Sequence, residues 1–213
     1  MARPSLRTKD KQQNFEELLA RHFSAFGSLS SGQLALLRGH YELLVRWNRV
    51  LNLTAIKRLE EAVVRHYCES LFLGVHLPAE GVSVLDVGSG AGFPGIPIAV
   101  LRPECEVVLA ESHQRKAAFL REATRDWPNV RVEARRAEEI DRASDWVVSR
   151  AVRWDKVIAL AQRRVSLLLG NEDAQAASAA RGFNWEPVIP LPWGQRRVLL
   201  LGSRVPDVPR GTA

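Results

Sequence analysis

Residues 84–95 read VLDVGSGAGFPG, and the arrangement of the whole chain follows from this stretch. Apolar and β-branched residues run up to Asp86, and glycines then fall at Gly88, Gly90, Gly92 and Gly95. This is the pattern of a buried strand that enters a tight turn with its backbone exposed. Residues without a Cβ can take positive φ and let a ligand approach closely, and the first N–H groups of the helix that follows point into the turn. A strand, a glycine turn and a helix therefore predict a cradle for a nucleotide-like ligand.

The 213 residues exceed the usual size of one domain by a little, which predicts one main domain with an appendage. A hydrophobic fraction of 46% and a charged fraction of 25% are those of a folded globular protein and argue against disorder. No apolar run reaches the length of a membrane span, and MARPSLRTKDKQQ at the start lacks the apolar core of a secretory signal, so a cytoplasmic location is expected; a monomer is expected as well, although nothing in the sequence fixes the oligomer. Cys68 and Cys105 form neither a zinc-ligand set nor a disulfide framework. The formal net charge of +6 favours a polyanionic partner such as nucleic acid.

Working outward from the glycine turn, residues 1–13 are polar and expected to fray, and a first amphipathic helix is predicted from Phe15 to Phe26. Ser30 or Ser31 can cap a second helix, in which Leu34, Leu37, Tyr41, Leu44, Trp47 and Leu51 form a buried stripe opposite Arg38, Arg46 and Arg49. A third helix, Leu59 to about Leu73, places Arg65 with Glu69 and His66 with Ser70 in i,i+4 register. Beyond Pro78 the period changes. Strands are predicted at Val82–Val87, Glu106–Ala110, Val130–Ala134 and Trp146–Ser149, with helices at Pro94–Leu101 and His113–Asp126 between them. This alternation means βαβ units, a parallel sheet, and ligands at the carboxyl ends of the strands. A helix at Asp155–Arg164, a strand at Val165–Leu169 and a helix at Asp173–Arg181 come next. The chain closes with an antiparallel hairpin of Trp185–Leu191 and Arg196–Leu201 across Pro192-Trp193-Gly194.

Spacing selects the cofactor. A dinucleotide site requires G-x-G-x-x-G; Gly88 and Gly90 fit, but the third glycine position holds Phe93. A G-x-G-x-G turn beside an apolar side chain suits a cofactor without a pyrophosphate, such as S-adenosylmethionine. Glu111, roughly twenty residues further on at the end of the second strand, stands where a ribose diol is hydrogen-bonded.

At this point the chain resembles a known family, the bacterial small-subunit rRNA guanine-N7 methyltransferases, also called the glucose-inhibited division protein B family. The resemblance covers roughly residues 40–151: WNRVLNLT from Trp47, VRHYCESL from Val64, LDVGSGAGFPGIPIA from Leu85, RPE from Arg102, ESHQRKAAFLRE from Glu111, AEE from Ala137 and SRA from Ser149. It implies a class I S-adenosylmethionine-dependent methyltransferase, α/β and Rossmann-like, with a helical extension at 1–76 and the cofactor-binding domain at 77–213. It also implies 16S rRNA, or the small ribosomal subunit, as acceptor and N7 of one guanine in the decoding region as target. The family's cofactor contacts fall on Gly88 and Phe93 in the turn, with Gly90 beside them, on Glu111 at the ribose, on Ala137 and Glu138 beside the adenine, and on Arg150 after the fourth strand.

Guanine N7 carries an in-plane lone pair and no proton, so the reaction requires alignment rather than a general base. No triad and no metal-ligand set is expected; Arg150, His66 and Arg65 are the positioning candidates, and Arg115 and Lys116 candidates for phosphate contact. After SRA the likeness weakens. The family has a longer helix there, a Pro-Gly turn and a strand ending in Leu-Lys-Gly, whereas this chain runs VIALAQRRVSLLLG, with Leu169 at the lysine position. That departure leaves open a non-catalytic or weakly active RNA-binding relative; the other alternative is a nicotinamide-dependent oxidoreductase, which Phe93 disfavours.

Overall fold

The computed structural model describes residues 6–206 apart from Arg142 and Gln195; the first five residues of the stretch expected to fray lie outside the described residues. From residue 6 onward the chain is already helical. Helices α1 (Leu6–Phe23) and α2 (Ser31–Trp47) come first. They are followed by one continuous helical run made of α3 (Leu59–Ala62), a π-helical segment (Val63–Cys68) and α4 (Glu69–Val75). The first helix thus begins nine residues earlier than the hydrophobic period indicates and stops at Phe23, with Phe26 in a turn beyond it.

The rest alternates as expected: β1 (Ser83–Val87), α5 (Gly95–Leu101), β2 (Glu106–Ala110), α6 (Gln114–Ala123), β3 (Val130–Glu133), a 3-10 turn (Ala137–Glu139), β4 (Trp146–Arg150), α7 (Trp154–Leu160), β5 (Arg164–Gly170) and α8 (Asn171–Ser178). Three short or antiparallel strands close the sheet, β6 (Phe183–Trp185), β7 (Ile189–Pro190) and β8 (Arg197–Arg204). The sheet order is β3-β2-β1-β4-β5-β8-β6, with β7 also on β8. The first five strands are parallel, and β8 runs antiparallel to β5, β6 and β7.

Further sequence expectations need correction: the second helix stops at Trp47, so Leu51 of its expected stripe lies beyond it, and two others change near the sheet. The helix assigned to Asp155–Arg164 ends at Leu160, because Arg164 joins the sheet: it pairs with Trp146 on one side and Ser203 on the other, and its guanidinium lies 5.3 Å over the Trp146 ring. The first arm of the closing hairpin is two strands, not one, since Pro187 has no N–H to give a ladder and the pairing lapses between Trp185 and Ile189.

Alternation along the strands divides the core. Leu85, Val87, Val147 and Val165 face α7 and α8, whereas Val84, Leu109, Val148 and Leu168 share the opposite face with Phe15, Leu19, Phe23, Leu37, Leu44, Tyr67 and Leu71 from the N-terminal helices. Each such side chain contributes about 1.5–3 kcal/mol on full burial. The helical extension is thereby fixed to the sheet, directly beside the topological switch between β1 and β4.

Candidate active site at the β1 and β4 termini

The turn after β1 is held from both sides. Gly88 and Ser89 donate to the Ala110 carbonyl at 2.9 and 3.1 Å, and Gly90 donates to Glu111 Oε2 at 3.0 Å. Glu111 also accepts from the His113 N–H at 2.8 Å through Oε1. Its carboxylate is only 8% exposed, but each oxygen keeps a lone pair for a ribose hydroxyl. Gly88 has φ +70°, and a Cβ there would lie 2.5 Å from Val152 Cγ2. Only glycine fits at this point of the cradle.

Beneath the turn Asp86 is fully buried. Its Oδ2 accepts from the Gly95 N–H at 3.0 Å, Oδ1 has no partner among the described residues, and burial raises the carboxyl pKa to about 7. An unsatisfied buried carboxyl oxygen beneath a ligand turn is suited to a cationic ligand, which would stabilise the ionised form.

The three positioning candidates meet at the mouth of this cradle. Arg150 ends β4 and lies 5.2 Å over the Phe93 ring; His66 stacks on the same ring at 4.5 Å and 15°. The Arg150 guanidinium donates to His66 Nδ1 at 2.8 Å and to the Arg65 carbonyl at 2.5 Å. Arginine has donors only, so His66 Nδ1 is the acceptor and Nε2–H donates to Thr54 Oγ1 at 2.8 Å. Burial, then the Arg150 charge, pushes the His66 pKa down to about 3. The expected His66–Ser70 side-chain pair does not form: Ser70 Oγ donates to the His66 backbone carbonyl, and the π-helical turn sends the imidazole toward Phe93. Phe93 itself is 3% exposed, covered by His66 and Arg150 and met edge-on by Tyr67 at 5.1 Å.

Ala137 is buried against the sheet, and Glu138 is exposed, with no side-chain partner among the described residues. Arg115 is exposed, its guanidinium 3.4 Å from the Val50 carbonyl, and Lys116 is half-buried.

Sequence reading missed several residues. His40 lies under the turn, its Nε2–H donating to the Ala91 carbonyl at 3.0 Å and its Nδ1 accepting from the Tyr67 hydroxyl at 2.9 Å. Arg197 was another: its Nε lies 3.0 Å from Oε2 of the buried Glu69, whose expected partner Arg65 stands with Nε 3.6 Å from Oε1. Asn48 ties the WNRVLNLT loop together, accepting from Leu53 and Thr54 N–H at 2.8 and 3.0 Å and donating to the Thr54 carbonyl at 3.0 Å. Its asparagine-and-turn composition was the one available signal. Beyond Arg150, a cavity of about 590 Å³ opens at the ends of β4 and β5, lined by Val152, Trp154, Leu169 and Arg197 among others.

Residues 33–172 match the sequence profile of the family described as rRNA small subunit methyltransferase G, which is more than half of the chain. The chain belongs to this family. A protein of Nitrosomonas europaea named ribosomal RNA small subunit methyltransferase G is 44% identical over 146 residues, 65% of this chain and 67% of that protein. One of Chromobacterium violaceum with the same name is 43% identical over 127 residues, 58% of this chain and 60% of its own length, so the chain spans under two thirds of that relative. A third, from Dichelobacter nodosus, is 35% identical over 188 residues, 83% of this chain and 88% of the relative. Among solved structures, magnesium protoporphyrin IX methyltransferase from Synechocystis PCC 6803 with bound SAM superposes with TM-score 0.55 at 16% identity, covering 84% of this chain and 99% of that one. The pyocyanin biosynthetic protein PhzM gives 0.59 at 15%, covering 78% and 62%. The fold of this methyltransferase G family member is accordingly that of class I S-adenosylmethionine-dependent methyltransferases, and family membership favours neither alternative left open by the sequence.

Proposed function

We propose that this chain transfers the methyl group of S-adenosylmethionine to N7 of a guanine in the 16S rRNA of the small ribosomal subunit. Beside the family match, the observation that carries the reading is the meeting, above the ends of β1 and β4, of a glycine turn with an unsatisfied buried Asp86 oxygen and the Arg150–His66–Phe93 stack.

The residues fit the cofactor. Gly88 and Gly90 present bare backbone, Glu111 offers lone pairs to ribose hydroxyls, and Ala137 and Glu138 supply an apolar and a polar contact for adenine. Asp86 lies beneath as countercharge. When bound, S-adenosylmethionine supplies an electrophilic methyl group on a positively charged sulfur. The protein's own part is alignment and electrostatics, because guanine N7 has a free lone pair and needs no base. Neutral His66 fixes the Arg150 guanidinium from one side and the Arg65 carbonyl fixes it from another, so that Arg150 faces the mouth as a preoriented cation. The guanine enters through the cavity bounded by Val152, Trp154 and Arg197. The helical extension, residues 1–76, supplies His66, Arg65 and Thr54 and is therefore part of the site rather than a separate module.

Leu169, at the family's lysine position, is 6% exposed and packs in the core against α7 and α8, while Arg197, opposite Gly170 on β8, is paired with the buried Glu69.

Two measurements test the reading. Calorimetry shows S-adenosylmethionine binding and no NAD binding; the reverse overturns the cofactor. In a strain lacking the gene, one 7-methylguanine disappears from 16S rRNA and returns when the chain is supplied. An unchanged modification pattern overturns the substrate.

A further inference from the structure

A second cavity, of about 240 Å³, lies between the C-terminal half of α2 and the loop over residues 48–57. It is smaller than the roughly 300–1,000 Å³ of pockets that take drug-sized ligands, and its size suits a single ring system. Its walls are of two kinds. Tyr41, Val45 and Ile56 present apolar surface; Tyr41 is held rigid by stacking on Phe15 at 5.2 Å, and Val45 is 40% exposed. Arg49 and Lys57 stand at the rim, both exposed and both without an ion-pair partner among the described residues. Arg38, three turns earlier on α2, is by contrast neutralised by Glu16 at 2.7 Å and Glu42 at 3.8 Å. No acidic side chain among the described residues lines the cavity.

Thr54 joins this cavity to the active site. It lines the wall, and its Oγ1 accepts from His66, which in turn accepts from Arg150 over Phe93. One imidazole therefore separates the cavity from the guanidinium at the cofactor mouth. Exposed cations without acids, around an apolar slot with an aromatic ring, complement a nucleotide, whose base stacks on apolar surface while its phosphates meet positive charge.

We propose that this cavity binds one unstacked nucleotide of the substrate RNA, close in space to the guanine that is methylated. Tyr41, Val45 and Ile56 lie against the base, and Arg49 and Lys57 meet the flanking phosphates. The inference rests on the rRNA substrate of the preceding section and adds to it a second point of attachment. With two points held, the RNA backbone between them is fixed, and the target guanine is presented in one orientation.

The test is steady-state methylation of small ribosomal subunits from a strain lacking the gene, over a range of salt concentrations, with S-adenosylmethionine calorimetry on every variant. The double variant Arg49→Gln/Lys57→Gln removes two exposed charges and leaves the core untouched. Its expected KM for RNA rises about tenfold, and the slope of log KM against log salt falls by about 1.4, the value for two single-strand phosphates. Its affinity for S-adenosylmethionine and its kcat stay at wild-type values. Val45→Trp fills the slot without changing charge; it raises KM for RNA while the salt slope stays put. Unchanged KM and slope in both variants overturn the inference, and so does a fall in kcat alone, which would mean the variants act through Thr54 and His66. If the wild-type protein forms no 7-methylguanine at all, the substrate assignment fails and this inference falls with it. Wild-type turnover with unaffected variants overturns only the cavity.

Discussion

Gly88 carries two constraints at once, a φ of +70° and a Val152 methyl 2.5 Å from where a Cβ would lie. Gly88→Ala is therefore expected to destabilise the protein by about 1–2 kcal/mol from the left-handed backbone alone. Relieving the clash must also push the turn away from β4, so S-adenosylmethionine affinity is expected to drop about tenfold or more, equivalent to about 1.4 kcal/mol. Thermal melts and calorimetry read the two effects separately, and an alanine variant with wild-type affinity would show that the cradle lies elsewhere. His66 makes a different argument. It touches no ligand in the proposed mechanism and acts by holding Arg150, so it is a positioning residue. His66→Asn is expected to lower kcat about tenfold to hundredfold, the scale of a small misplacement, with a smaller change in KM for S-adenosylmethionine. Thr54→Val, which removes the acceptor for Nε2–H and for the Ile56 N–H at 3.1 Å, should give a weaker version of the same pattern. A KM effect that exceeds the kcat effect in both would assign His66 to cofactor binding instead. Gly88 and Glu111 could be proposed from their offsets to the ends of the first two strands, whereas Arg150 was legible only from the resemblance of SRA to its family. The contact between His66 and Arg150 was not, since 84 residues separate them and no periodicity reports such a pairing.

At the level of elements, local chemistry decided what could be read. Ser30 and Ser31 were equal candidates to cap α2, and the structure selects Ser30: its hydroxyl accepts from Gln33 N–H at 3.2 Å while the Gln33 side chain accepts from Ser30 N–H at 2.9 Å. Three-residue spacing to a glutamine is the capping-box signature, and only Ser30 has it. Ser30→Ala is expected to cost about 1 kcal/mol. Ser31→Ala should stay within about 0.5 kcal/mol of wild type, as surface changes do. Urea unfolding midpoints compare the two, and equal losses would contradict the cap assignment. The parallel strands were legible because both faces are buried and the apolar runs are continuous. The π-helical turn at Val63–Cys68 was not, since the inserted residue shifts the register without altering composition, and that shift is what turned His66 away from Ser70. The closing strands were half legible: the turn at Pro192-Trp193-Gly194 follows from its residues, whereas the insertion of β8 between β5 and β6 depends on contacts remote in sequence.

For the whole molecule, the core shared by the N-terminal helices and the sheet encloses ionisable groups, and these set how stability varies with pH. His40 and His66 are 3% and 4% exposed, and burial holds their pKa values at about 4 and about 3, below the usual 6.5. Between about pH 4 and 6.5 the unfolded chain therefore binds protons at both residues that the folded chain refuses, and stability rises with pH. Asp86 acts in the opposite sense. Its folded pKa of about 7 lies above the usual 3.8, so the folded state holds a proton that the unfolded chain releases, and this contribution is lost as pH rises from about 4 to 7. The two histidines act against Asp86 and against Glu69, whose carboxyl pKa burial also raises, and the net effect across the middle of the window is a stability that rises with pH. The histidine gain is only half complete at pH 6.5 and ends, together with the Asp86 loss, above about pH 7, so stability rises to a plateau near pH 7. Urea unfolding of the unliganded protein from pH 4.5 to 7.5 reads this directly. His66→Asn removes one of the two histidine protons and should nearly flatten the rise. A wild-type stability that falls steadily across the window would mean that Asp86 outweighs both histidines and that the buried imidazoles are not the groups that resist protonation.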